Sequence, residues 1–121
     1  MAARVVAVFD DLLLGSNMLG MLRAAGHEAE LVGGTSVRPD GCAVMIVDLT
    51  AGSFDGIELV ERLREEGELG ETRTLGVYSH VDAETRDRAI AAAFDLVVPR
   101  SRMAREGPAL VERLLGGTAP D

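Results

Sequence analysis

Asp48 ends an apolar run, Ala43-Val44-Met45-Ile46-Val47, and Asp55-Gly56 then opens the helical stretch Ile57 to Arg64. A buried strand that delivers a carboxylate to its C-terminal end, followed by a short loop into a helix, puts a reactive group where open α/β sheets keep their sites. Asp10 and Asp11 follow another apolar run, Ser79 a third, and Pro99-Arg100-Ser101 a fourth. If the strands are parallel, all of these groups emerge at one edge of one sheet. Three carboxylates in one crevice raise each other's pKa unless a cation neutralises them. Mg²⁺ suits such a place, because it keeps several waters while taking one or two carboxylates. The chemistry on offer is phosphoryl transfer to a carboxylate, with Asp48 as nucleophile, a metal screening charge and the Ser79 hydroxyl holding a phosphoryl oxygen. All twelve basic residues are arginine, so no lysine assists at Asp48.

Positioning these groups takes strands alternating with crossover helices, and apolar runs alternate with helical periods along the whole chain. Residues 4–9 read as the first strand, and Leu14, Met18, Met21, Leu22 and Ala25 then recur on one helical face until Gly26. Residues 28–32 make a second strand. The connection 33–42 holds three Gly and a Pro without helical period, so the second crossover is at most one turn of helix. Residues 43–48 and 74–79 are the third and fourth strands, each followed by a helix, 55–66 with a capping-box spacing from Asp55 to Glu58, and 82–92. Residues 95–98 make a fifth strand stopped by Pro99, and a last helix is expected to carry Pro108 in its first turn and to end before Gly116-Gly117. The fold class is α/β, a flavodoxin-like doubly wound sheet of five parallel strands. One domain over 1–117 and a frayed tail over 118–121 complete the expectation.

A chain of 121 residues, 47% apolar, buries a core without staples. A net charge of −8 argues against nucleic-acid binding, which needs a basic face. The single Cys42 excludes a disulfide framework. No run of apolar residues reaches the roughly 18 a membrane span needs, and Asp10 interrupts the N-terminal run too early for a signal peptide, so a soluble cytoplasmic protein is expected.

The acidic pair after strand one, the aspartate ending strand three, the Asp-Gly-x-Glu-Leu run from Asp55 to Leu59, and the small hydroxyl residue ending strand four together resemble the receiver domains of bacterial two-component response regulators. The likeness covers residues 4–115. It implies that Asp48 is the phosphoacceptor position and Ser79 the hydroxyl position. It also implies weak Mg²⁺ binding by Asp10, Asp11, Asp48 and the backbone carbonyl of Thr50, and a histidine kinase or downstream effector as partner. Aligning the apolar stripe of the first helix puts Asp10 at the direct metal position and Phe9 where a second acid would stand; aligning the dipeptide gives Asp10 and Asp11 the two roles. The former is favoured. Receivers carry Lys-Pro at the end of strand five, where this chain has Val97-Val98-Pro99-Arg100, leaving Arg100 as the substitute for the lysine. Leu96-Val97-Val98 also lacks the aromatic switch residue. The expectation is a stand-alone, degenerate receiver that signals by protein contact and not by turnover, with Arg102 and Arg105 beside the face of the fourth helix, fifth strand and last helix, through which receivers form homodimers.

Two other functions use the same crevice: a small flavodoxin-like ligand binder, and a weak phosphatase or hydrolase built on Ser79, His80, Asp82 and Ser101. Against the second, Asp82 is better read as a helix N-cap. His27 is read as an exposed charge at a helix C-terminus, Gly15 to Gly20 as a packing feature, and Met18 and Met21 as core. The acidic residues Glu58, Glu61, Glu65, Glu66, Glu68 and Glu71 are read as solvated surface.

Overall fold

The computed structural model describes residues 3–34 and 37–116. In chain order the elements are β1 (Arg4–Val8), α1 (Leu12–Ala24), β2 (Glu28–Val32), β3 (Val44–Asp48), α2 (Gly56–Glu65), β4 (Arg73–Tyr78), α3 (Ala83–Ala91), β5 (Leu96–Pro99) and α4 (Arg100–Gly116). Every strand pairing is parallel, and the sheet order is β2-β1-β3-β4-β5. Alternation along β3 explains the two layers. Val44 and Ile46 join a core with Met18 and Leu22 of α1 and Met103, Leu110 and Val111 of α4, whereas Met45 and Val47 join Ile57, Val60 and Leu63 of α2 and Ala89 of α3. Burial on both faces makes β3 a continuous apolar run, and every one of its residues is buried.

The connection from β2 to β3 forms no helix among its described residues, as its composition predicts. Its C-terminal end is held by hydrogen bonds instead. The Cys42 amide donates to the Pro39 carbonyl at 2.8 Å, and the Thr72 hydroxyl to the Cys42 carbonyl at 2.7 Å. Val37 and Cys42 pack on the core that a crossover helix would otherwise cover. The expected tail, 118–121, lies outside the described residues.

The last helix corrects the expectation. α4 starts at Arg100, and Pro108 lies inside it. Its buried stripe of Met103, Gly107, Leu110 and Val111 continues at helical spacing across the proline, so packing on both sides holds a helix that locally loses one backbone hydrogen bond. Pro99 is the last residue of β5, paired with Tyr78, where a missing N–H is tolerated because β5 is an edge strand.

His27 is buried, not exposed. α1 ends in a Schellman motif: Gly26 adopts φ 94°, its amide donates to the Arg23 carbonyl at 3.0 Å, and the His27 amide donates to the Leu22 carbonyl at 3.0 Å. That motif folds the residue after the glycine back towards the helix, which carries the imidazole inward. There Nδ1 accepts from the Ala3 amide at 3.2 Å. Of the two glycines read as packing features, only Gly15 is one, since a Cβ there would meet Leu31 at 2.8 Å while Gly20 has open space. Met18 is core, and Met21 is half-buried.

Candidate functional site

All five strands run the same way, so their C-terminal ends share one edge. Between β1 and β3 the chain reverses its direction of winding, and the crevice at such a switch point is where open α/β sheets place ligands. Asp48 is the last residue of β3, 1% exposed, opposite Val77 of β4. Its Oδ1 accepts from the Thr50 amide at 2.9 Å and from the Thr50 hydroxyl at 2.6 Å. This is the turn that an aspartate forms with the backbone two residues on, and it fixes the carboxylate at the strand end. No other donor among the described residues reaches Asp48, so Oδ2 is left without a protein partner.

The β1–α1 acids are engaged elsewhere. Asp10 is exposed, and its Oδ2 accepts from the Ser53 hydroxyl at 2.9 Å and the Ser53 amide at 3.1 Å. Those two bonds, the hydroxyl first, hold the Asp10 carboxyl below the usual aspartate range. They also tie the loop after β1 to the loop after β3. Asp11 is the N-cap of α1: its Oδ1 accepts from the Leu13 and Leu14 amides, each at 3.1 Å. Its Oδ2 lies 3.7 Å from Nη2 of Arg100, the first residue of α4.

The remaining groups frame this edge. Asp55 caps α2 through the Ile57 and Glu58 amides. Gly56 is required where α2 meets β3, because a Cβ would lie 2.6 Å from Cγ1 of Val47 and 3.3 Å from the Asp48 carbonyl oxygen. Ser79 is half-buried; its carbonyl accepts from the Asp82 amide at 2.8 Å, and its hydroxyl makes no hydrogen bond to Asp48. Asp82 caps α3, with Oδ1 on the Thr85 amide at 3.0 Å and Oδ2 on its hydroxyl at 2.6 Å, which lowers its pKa. Among the described residues no side-chain hydrogen bond links Ser79, His80 and Asp82 into a relay.

Asp10, Asp11 and Asp48 share the edge, and among the described residues no group of three His, Cys, Asp or Glu is placed to hold a metal ion. Each acid has its own local donors: Ser53 holds Asp10, the first turn of α1 holds Asp11, and Thr50 holds Asp48. Mg²⁺ keeps several waters and takes one or two carboxylates, so it needs no such group of three. Thr50 anchors Asp48 with its amide and side chain, a role the sequence signalled by its position two residues after an aspartate. Ser53 gave no such signal, since its partner is distant in the chain.

The hollow beside the edge is small, about 220 Å³, between Leu49, Phe54, Asp55, Ile57, Thr85 and Arg88. Larger open hollows lie away from it, one of about 700 Å³ between α2 and the end of α3 and one of about 460 Å³ at the start of β4. No described helix is long and apolar enough to cross a membrane.

No protein-family model matches this sequence, and no curated protein matches it. Similar solved structures do exist. The receiver domain of the Francisella response regulator 1452 superposes with a TM-score of 0.79 at 16% identity, over 97% of this chain and 99% of that one. The chemotaxis response regulator CheY4 of Vibrio cholerae gives 0.77 at 20% identity, over 94% and 99%. NtrX from Brucella abortus gives 0.84 at 20% identity, over 97% of this chain but 28% of that longer one. At such identities the likeness establishes architecture. The chain has the fold of response-regulator receiver domains, a flavodoxin-like sheet of five parallel strands, with Asp48 at the C-terminal end of its central strand.

Proposed function

We propose that the chain is a degenerate receiver domain of two-component or phosphorelay signalling, with Asp48 at the phosphoacceptor position, working by contact with another protein. The observation that carries this reading is the buried Asp48 carboxylate at the end of β3, anchored through Oδ1 by Thr50 with Oδ2 left without a protein donor. A histidine kinase or a downstream effector is the partner class. Leu12, Leu13 and Val81 stand 70–79% exposed beside the strand ends, an apolar margin around an acidic crevice that suits protein contact.

The degeneracy follows from three features. The chain has no lysine, Leu96-Val97-Val98 in β5 has no aromatic side chain to swing, and the Ser79 hydroxyl is not engaged with Asp48. A phosphoryl group shifts a conformational equilibrium only by its differential affinity for the two states. With fewer groups to hold it, the signalling face formed by α3, β5 and α4 responds little. Mg²⁺ enters this reading as a weak ligand of Asp10 and Asp48, each of which already has one oxygen engaged. On α4, Arg102 and Arg105 both approach Glu106, at 3.5 and 3.9 Å, and present a basic patch that fits an acidic partner or a second copy at this face.

Incubation with acetyl phosphate, followed by intact mass, tests the acceptor assignment. Slow labelling of the wild type, absent from Asp48→Asn, is the expected result; labelling that persists in the variant removes Asp48 from the role. Neither alternative function has a specific observation in its favour: Asp82 is committed to its cap, and the hollow at the strand ends is small.

A further inference from the structure

We propose that the groove between α2 and the end of α3 is a docking surface for a basic amphipathic helix of another protein. The groove lies away from the strand-end crevice, so the proposal does not depend on the chemistry of Asp48.

The two helical layers differ. On one face of the sheet α1 and α4 pack on each other, and Cε of Met21 lies 3.2 Å from where a Cβ on Gly107 would stand. On the other face α2 and α3 leave an open hollow of about 700 Å³. Two arginines join its walls. Arg88 of α3 reaches Asp55, the N-cap of α2, at 3.6 Å, and Arg64 of α2 donates to the Ala92 and Ala93 carbonyls at 2.8 and 3.2 Å. The donors of both are therefore engaged within the fold.

The walls themselves are unlike. The end of α3 offers only the methyl groups of Ala91, Ala92 and Ala93, against which a partner backbone can come close. α2 offers Glu58, Glu61 and Glu65, exposed at i, i+3 and i+7 and so along one helical face about 10 Å long. Among the described residues none of these three carboxylates has an ion-pair or hydrogen-bond partner. Arg62 on the same lip offsets one of them, yet residues 58–71 carry six Glu against two Arg, a net −4 that is half of the chain's −8. Apolar methyls on one wall and unpaired acids on the other select an occupant with a narrow apolar stripe flanked by cations, which is the pattern of a helix with Ala or Leu on one face and Lys or Arg beside it. A second copy of this chain fits less well, because Arg102 and Arg105 of α4 already stand beside Glu106.

The probe is a synthetic peptide of about 18 residues, Leu, Ala and Lys patterned as an amphipathic helix, titrated into the full chain at low salt while amide shifts are followed. Saturable shifts concentrated at Glu61, Glu65, Ala91 and Ala93 are expected, with none from the same peptide carrying Glu for Lys. Glu61→Gln with Glu65→Gln is expected to weaken binding about three- to tenfold, whereas Glu66→Gln with Glu68→Gln, the same charge removed outside the groove, stays within about twofold of the wild type. Ala91→Phe fills the groove without changing charge and is expected to weaken binding about tenfold. Ala91 is exposed, so the fold tolerates the ring, and amide dispersion in the same spectra verifies it. Shifts spread evenly over the acidic surface, equal losses from the two glutamate pairs, or unchanged binding by Ala91→Phe overturn the proposal. Shifts at the groove that follow protein concentration without peptide also overturn it, by assigning the groove to a second copy of the chain.

Discussion

Asp48→Asn should stabilise the protein. Asparagine keeps the shape of the side chain and an Oδ1 acceptor, so both Thr50 bonds, at 2.9 and 2.6 Å, survive the change. They become neutral. A hydrogen bond to a charged group contributes about 1.5–3 kcal/mol and a neutral one about 0.5–1.5 kcal/mol, so the two together lose about 2 kcal/mol. Against that stands the removal of a carboxylate that is 1% exposed. The effective penalty for burying an ion is several kcal/mol even after relaxation. The balance favours the variant by about 1–2 kcal/mol. For a chain of this size each kcal/mol moves the melting temperature by about 3–6 °C. Urea unfolding at pH 7 is the direct assay, read as a raised midpoint at unchanged slope. Thr50→Val in each background isolates the anchor: it should cost about 1.5 kcal/mol beside the carboxylate and less beside the amide. A less stable Asp48→Asn would show that the carboxylate is solvated or neutralised by something other than Thr50, and the reasoning about its burial would fail.

Three further changes probe the supports of the site. Ala93 holds φ 63° just past the end of α3, a left-handed conformation that a Cβ opposes, so Ala93→Gly should raise stability by about 0.5–1 kcal/mol in urea unfolding. Gly56→Ala should cost about 1–3 kcal/mol, because its methyl would meet Val47 at 2.6 Å and Leu49 at 2.9 Å; the same denaturation series reads it, with amide shifts at Asp48 reporting displacement of the strand end. The Asp10 carboxyl, depressed by its bonds from Ser53, favours loop docking above the ordinary aspartate pKa and loses that contribution as pH falls through the lower folded value. The Ser53 amide should therefore titrate with a midpoint below 3.8, the ordinary aspartate value, and Asp10→Asn should abolish the titration.

Much of the fold was legible because β3 and its neighbours are short apolar runs, and because Asp11, Asp55 and Asp82 mark helix starts by the donors they accept. The β2–β3 connection, without a helix among its described residues, was legible too, since three Gly and Pro39 leave no helical period. What misled was local chemistry overridden by packing. Pro108 reads as a helix start, yet the apolar stripe runs through it. His27 reads as a surface charge, yet the turn made by Gly26 folds it under. At the site, topology correctly brought Asp10, Asp11, Asp48, Ser79 and Arg100 to one edge. The sequence could not show which donors each acid would choose, because the Asp10–Ser53 and Asp11–Arg100 contacts join segments far apart in the chain.

The central claim is a receiver fold whose phosphoacceptor position is uncoupled from its signalling face. Beryllofluoride with Mg²⁺, added to the unmodified protein while backbone amide shifts are followed, tests it most directly. Shifts confined to Asp48, Leu49, Thr50 and the loop carrying Ser53 are the predicted result, with Arg102 and Met103 on α4 unmoved. Shifts that spread to Arg102, Met103 and the strand Leu96–Pro99 would contradict it, and would mean that Arg100 acts in place of the missing lysine.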